Sequence, residues 1–180
     1  MNMKRIIETA LLCLICLSGT SCIKEKLEAT YTGQESKIDS YLAKFDSTMV
    51  FRNGGVNRLT KVAGEGEKLN ADGMVSLYYA GYIFNSGAPS SANMFVTNHK
   101  ATADQAGWDL TDEDFKIYEV DMTDATLIEG LRKGLIGVQP GEECEIVFSG
   151  KYGFGRKSFG MIPANSALLY KIWVVGVTND

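Results

Sequence analysis

Apolar residues recur along this chain in two different periods, and the switches between them divide it into elements. Ile38, Tyr41, Leu42, Phe45 and Met49 fall at spacings of three and four, which places one apolar stripe on a helix. Thr32-Gly-Gln-Glu35 just before them has the form of a capping box, the Thr hydroxyl and the Glu carboxylate each satisfying a free amide, so the helix is expected to start there. The stripe must be covered, either by the chain's own domain or by a second copy in a homodimer through this N-terminal helix. Asn53-Gly-Gly55 ends the element, residues 56–62 alternate as a strand, and Gly64-Glu-Gly66 and Asn70-Ala-Asp-Gly73 turn the chain. Residues 75–84 read as the next strand. Apolar residues on both its faces predict a central place in a sheet.

Residues 85–92 are rich in Gly, Pro, Ser and Asn and read as loop, after which Phe95-Val-Thr-Asn98 resumes a short extended piece. Residues 98–116 give no firm conformation beyond a helical turn capped at Thr111 or Asp112. Residues 115–122 alternate as a strand, while Leu127, Ile128, Leu131 and Leu135 share a helical face that stops at Gly137. Pro140-Gly141 then turns the chain into a strand over residues 144–148, and a last strand covers 167–177. Many strands around one short helix predict an α+β fold, an antiparallel sheet wrapped on that helix and preceded by the N-terminal helix.

The first residues read as an address. Lys4 and Arg5 precede the apolar run 10–17, and Ser18-Gly-Thr-Ser21 leads to Cys22, the pattern of a secretory signal. The run is too short for a bilayer core, which needs roughly 20 residues. Cleavage before a cysteine is similar to the processing of bacterial lipoproteins, with Gly19 in place of the usual large apolar residue; it implies acylation at Cys22 and a lipid anchor in the cell envelope, at the outer membrane. The expected organisation is a signal over 1–21, a tether and amphipathic helix over 22–52, with the charged residues 23–31 as the tether, and one domain over 53–180. Loss of Lys4, Arg5 and Glu8 with the signal takes the 18 basic and 22 acidic side chains to 16 and 21, a net charge of −5. That balance excludes a nucleic-acid partner, which needs a basic patch. Cys144 is left without a partner in the mature chain, and its place in an alternating segment makes it a small core residue.

Several chemistries fall away. His99 is the single histidine, which excludes a histidine-based zinc cluster, and it is expected in an exposed loop. The acidic residues 109–114 lack the ligand spacing of an EF-hand. Gly153-Phe-Gly155 lacks the Lys-Ser/Thr pair of a phosphate loop. No metal and no cofactor is expected. What remains is aromatic and aliphatic: Tyr79, Phe95, Tyr118, Phe154 and Tyr170, each of which alone reads as core.

Three segments separate them from core. Val75-Ser-Leu-Tyr-Tyr79-Ala-Gly81, together with Tyr152-Gly-Phe154-Gly155 and Met161-Ile-Pro163-Ala-Asn-Ser-Ala-Leu-Leu-Tyr170, resembles the FKBP-type peptidyl-prolyl isomerases over about residues 54–178. The resemblance implies a concave pocket that grips a proline ring. It assigns walls to Tyr79, Phe95, Tyr118, Phe154 and Tyr170, the floor to Leu131, the family's isoleucine before proline to Ile162, and the helix entrance to Leu127 and Ile128, where the isoleucine amide anchors a ligand carbonyl. Phe84-Asn-Ser86 is a rival to Phe95 for its segment. Leu131 stands where the family has tryptophan, Val96 where it has aspartate, and Phe154 where it has tyrosine. The implied activity is prolyl isomerisation of exported, proline-containing polypeptides, weakened by these departures; the alternative is a non-catalytic module that binds clients or a partner lipoprotein.

Overall fold

A computed structural model describes the backbone of residues 3–179 and the side chains of residues 23–179. The side chains of Cys22 and of residues 1–21, where a signal is expected, lie outside the described residues. Helix α1 (Met3–Leu42) is followed by a 3₁₀ turn and by strands β1 (Val50–Asn53), β2 (Val56–Val62), β3 (Met74–Ile83) and β4 (Met94–Thr97). Helix α2 (Lys100–Ala106), strand β5 (Tyr118–Asp121), helix α3 (Glu129–Leu135) and strands β6 (Glu143–Phe148) and β7 (Leu168–Thr178) complete the chain. The strands form one antiparallel seven-stranded sheet in the order β1-β2-β6-β7-β3-β4, and β5 also pairs with β3. The α+β arrangement expected from the periodicity is present, with β3 central.

Alternation along the strands sends side chains to two separate cores. Leu77 of β3, Ile146 and Phe148 of β6, and Tyr170 and Ile172 of β7 enter the cluster on the side of α3. Ala80 and Tyr82 of β3, Val147 of β6 and Leu169 of β7 face the other way, onto Ile38, Tyr41 and Leu42 of α1. The stripe on α1 is thus covered by the chain's own sheet. Below it, the Tyr41 hydroxyl donates to Glu145 Oε2 at 2.6 Å, and Lys61 Nζ lies 3.7 Å from the same oxygen, so the buried carboxylate has partners.

The helix does not begin at Thr32, and residues 23–31, read as the charged tether, are helical as well. Helix α1 runs through both, because Lys24, Glu25, Lys26, Leu27, Glu28 and Ala29 are strong helix formers. The expected capping glutamate, Glu35, accepts instead from Ser149 Oγ at 3.3 Å. Tyr31, one stripe position further back, is buried. The helix also stops earlier than expected, at Leu42, and the segment before Gly54-Gly55 is the edge strand β1.

In the 98–116 stretch, the helical turn capped by Thr111 is present, with Asp114 completing a capping box, and helix α2 precedes it. His99 is not in an exposed loop. It starts α2, its ring stacks on Trp173 with centroids 3.9 Å apart, and its Nδ1 pairs with Thr102 Oγ1 at 2.9 Å. Cys144 is buried core as expected.

Helix α3 lies unusually close to the sheet. A Cβ at Gly130 would sit 2.5 Å from the Phe148 ring, and one at Gly134 would sit 2.2 Å from Ile146 Cγ2, so two glycines one turn apart permit the approach. Arg58 of β2 fixes the far end of α3: its Nη1 donates to the carbonyls of Gly134 at 2.9 Å and Ile136 at 2.7 Å. Its Nε lies 3.2 Å from Glu142 Oε1, an ion pair whose angle falls short of a hydrogen bond. The guanidinium thereby satisfies carbonyls that a helix end leaves free.

Two outcomes follow from these contacts. Gly130→Ala should destabilise the protein by about 1–3 kcal/mol through overpacking, although alanine is the better helix former, and thermal denaturation reads this directly. Burial holds the His99 imidazole below its ordinary value of 6.5, so the unfolded chain takes up the proton first as pH falls. Stability should therefore drop as pH is lowered through about 6.5, and melts of His99→Gln across that range should show a shallower slope.

Candidate functional site

The sheet curls around α3 without filling its own concave face, leaving a cavity of about 590 Å³. All nine residues singled out above line it: Tyr79, Phe95, Tyr118, Leu127, Ile128, Leu131, Phe154, Ile162 and Tyr170. They arrive from β3, β4, β5, α3 with its entry turn, the loop before β7, and β7 itself. The rival Phe84 is buried on the opposite face of the sheet under α1, so Phe95 is the phenylalanine of the cavity.

The aromatic walls are braced edge to face. Tyr79 meets Tyr118 with centroids 5.7 Å apart, and Phe95 meets Tyr170 at 5.8 Å, while Phe148 stacks behind Tyr170 at 6.2 Å. Gly81 makes room for this, since a Cβ there would lie 2.7 Å from the Phe95 ring. Burial, and secondarily each tyrosine's neighbour, raises the Tyr79 and Tyr170 phenols above their ordinary value, so both are neutral O–H donors at neutral pH.

Asn98 holds β4 and β5 at their shared edge. Its Oδ1 accepts from the Tyr79 amide at 2.6 Å, and its Nδ2 donates to the Lys116 carbonyl at 2.9 Å, bridging the ladder where the 98–116 insertion interrupts it. The ladder of β3 with β5, which sets Leu77 opposite Tyr118, and this buried amide together place Tyr118 beside Tyr79.

Between β5 and α3 the backbone is shaped by two side-chain turns. Asp121 accepts from the Thr123 hydroxyl at 2.6 Å and amide at 2.7 Å; Asp124 accepts from the Thr126 amide and hydroxyl, both at 2.8 Å. These bonds hold both carboxyls below the usual carboxylate range. Arg132 donates to the carbonyls of Met122, Asp124 and Leu127, tying the same turn to α3. Ile128 is left as the residue before the helix in extended conformation, and among the described residues no acceptor meets its amide. That free donor sits at the cavity lining.

The cavity also contains residues that patterning did not single out. Phe159 stacks on Phe154 with centroids 4.8 Å apart and pairs by backbone with Ile162, so Phe159 and Met161 form an exposed apolar rim. Two large apolar residues beside a glycine in a polar loop were the available signal. Leu77, Val120, Leu135 and Ile172 form the base, indistinguishable in sequence from core. Glu119, Asp121 and Asp124 supply the acidic edge. Among the described residues no group of His, Cys, Asp and Glu side chains is arranged to hold a metal ion.

The family model for FKBP-type peptidyl-prolyl cis-trans isomerases matches residues 66–175. The chain belongs to that family. It is 24% identical over 124 residues to FK506-binding protein 1B of Neurospora crassa, covering 68% of this chain and 98% of that protein. With FK506-binding protein 1 of Aspergillus oryzae it shares 25% over 118 residues, 66% of this chain and 94% of the relative. The fold is that of solved family structures. A peptidyl-prolyl cis-trans isomerase from Pseudomonas syringae superposes with a TM-score of 0.60 at 16% identity, over 84% of this chain and 96% of that one. FkpA from Escherichia coli superposes with a TM-score of 0.57 at 19% identity, over 99% of this chain and 74% of that one. The three-domain wheat FKBP73 gives 0.55 at 18% identity, over 73% of this chain, which spans only 50% of that structure's length.

Proposed function

We propose that this chain is a lipid-anchored prolyl isomerase that acts on exported polypeptides. The observation that supports it most is the convergence of the nine family-matched positions on one apolar cavity with an unpaired amide at Ile128. An Xaa-Pro bond turns slowly because amide resonance gives a barrier of roughly 18–20 kcal/mol. That resonance separates charge, and water stabilises the planar, polar ground state more than the twisted form. A cavity that strips water while holding the twisted amide lowers the barrier, with neither a general acid nor a covalent step.

Roles follow from placement. Tyr170, Phe95 and Leu131 would enclose the proline ring, the Ile128 amide would donate to a carbonyl of the peptide, and Tyr79, Tyr118, Phe154 and Ile162 would exclude water. The exposed rim of Phe159 and Met161 extends the apolar surface outward and suits clients with apolar residues beside the proline. A net charge of −5 in the mature form and the acidic edge of the cavity fit polypeptide rather than polyanionic partners.

A second reading keeps the cavity and drops the turnover. Leu131, Val96 and Phe154 remove an indole, a carboxylate and a hydroxyl from the family pattern, which favours a module that binds clients or a partner lipoprotein. One lost neutral hydrogen bond is worth about 1 kcal/mol, close to fivefold in rate, so reduced turnover is the expected outcome of these departures.

Exchange spectroscopy on a peptide with an apolar residue before proline decides between the two. The mature chain should accelerate cis-trans exchange; a folded sample that binds the peptide without acceleration supports the binding module. Tyr79→Ala should lower kcat/KM by about tenfold, roughly the cost of one opened wall. Phe154→Tyr should raise it several-fold, on the scale of about 1 kcal/mol. If both variants stay folded with parental kcat/KM and affinity, the cavity assignment is wrong.

The anchor is tested separately. Mass spectrometry of the mature protein should find acyl chains on Cys22 as the first residue, and Cys22→Ala should release the protein from the membrane fraction; an unmodified cysteine would end the lipoprotein proposal. Among the described residues no helix is long and apolar enough to cross a membrane.

A further inference from the structure

The loop over residues 150–165 carries a whole wall of the cavity, including Phe154, Phe159, Met161 and Ile162, yet it belongs to no strand. Its ends come together without a sheet ladder. The Gly155 amide donates to the Gly150 carbonyl at 3.2 Å, and the Asn165 amide to the Gly155 carbonyl at 2.6 Å. Gly150 and Asn165 are so close that a Cβ on Gly150 would lie 2.4 Å from the Asn165 carbonyl oxygen.

Both ends are held from outside by one side chain of α1. Gln34 Oε1 accepts from the Gly150 amide at 2.8 Å, and Gln34 Nε2 donates to the Asn165 carbonyl at 2.6 Å. Tyr31, one turn earlier and buried, donates from its hydroxyl to Asn165 Oδ1 at 3.0 Å. Glu35 accepts from Ser149 Oγ, next to the loop's start. Asn165 is held at φ +60°, a conformation that a short polar side chain tolerates.

We propose that Gln34, seconded by Tyr31, is a positioning residue for the cavity. The amide side chain on α1 sets the distance between the loop's ends and so fixes where Phe154 and Ile162 stand. Neither Gln34 nor Tyr31 lines the cavity, so any effect on turnover passes through the loop. This inference rests on the prolyl-peptide reading of the cavity. It assigns to α1 a role in recognition as well as in covering the far face of the sheet.

The test uses the mature chain with Gln34→Met, Gln34→Glu and Tyr31→Phe, and Asp39→Ala as a control. Asp39 lies on the same helix but pairs with Arg52 at the surface, away from the loop. Gln34→Met removes both bonds, Gln34→Glu keeps an acceptor for the Gly150 amide, and Tyr31→Phe removes only the hydroxyl bond. Gln34→Met should speed hydrogen exchange at Gly150, Gly155 and Asn165 while β3 and β7 keep their protection. KM should rise about fivefold, the scale of one lost hydrogen bond, with a smaller change in kcat. Gln34→Glu and Tyr31→Phe should fall between Gln34→Met and the parent, and Asp39→Ala should match the parent. If Gln34→Met does not fold, these milder variants decide by the same readouts. Parental KM and peptide affinity in a folded Gln34 variant overturn the proposal even if the loop exchanges faster. A parent that binds the peptide without turning it over ends the isomerase reading alone, and peptide affinity then judges the clamp. A parent that neither binds nor turns over removes both.

Discussion

A helix of seven residues cannot cover the concave face of a seven-stranded sheet, and the rest of the structure follows from that shortfall. Helix α3 is about 10 Å long, while β7, with eleven residues, extends about 37 Å. Through Gly130 and Gly134 the helix closes onto Phe148 and Ile146 of β6. The inward side chains of β7, β3 and β5 beyond it, Tyr170, Ile172, Leu77, Tyr79, Tyr118 and Val120, are left facing open space. Close packing on one side of α3 and a cavity on the other are two results of one placement. A longer helix, or one held further from the sheet by alanines, would fill or blunt the site.

Polar groups buried between the layers keep that placement single-valued. Arg58 reaches the last carbonyls of α3 from β2, so α3 cannot slide along β6 without leaving those carbonyls and Nη1 of the buried guanidinium unpaired. On the other face, Tyr41 and Lys61 attend Glu145, which fixes α1 over the middle of the sheet. Apolar contact would tolerate several registers. These bonds select one.

Much of this was legible in the sequence, and the reason is burial. Strands β2 to β7 and α3 announce themselves because each meets a core, on both faces for β3, β6 and β7, which concentrates apolar residues in 75–83 and spaces them helically over 127–135. Elements with little buried surface gave no such signal: β1 exposes Phe51 at the sheet edge, and α2 buries only Ala103. Residues 24–30 of α1 gave no helical stripe for the same cause, since all but the half-buried Leu27 face solvent, and Gly33 interrupts the pattern. For the cavity, the family resemblance located nine of the lining residues, which composition alone would have left as core. Asn98, Arg58 and Gln34 were out of reach, because their partners lie elsewhere in the chain and are chosen by the tertiary register.

The departures from the family pattern acquire a geometry. Phe154 lacks a hydroxyl, but Tyr79 and Tyr170 remain in the cavity wall with their phenols held neutral by burial, so O–H donors persist on strands β3 and β7. The polar contacts available to a bound amide therefore sit on the rigid sheet and at the Ile128 amide beside α3. The loop contributes apolar surface alone, through Phe154, Phe159, Met161 and Ile162. Hydrogen bonds demand placement within a few tenths of an ångström, whereas apolar contact tolerates more. A loop closed by its own backbone bonds and held from outside by side chains of α1 would take the less exacting share of the proposed recognition, and the strands, which cannot move without breaking the sheet, the directional share.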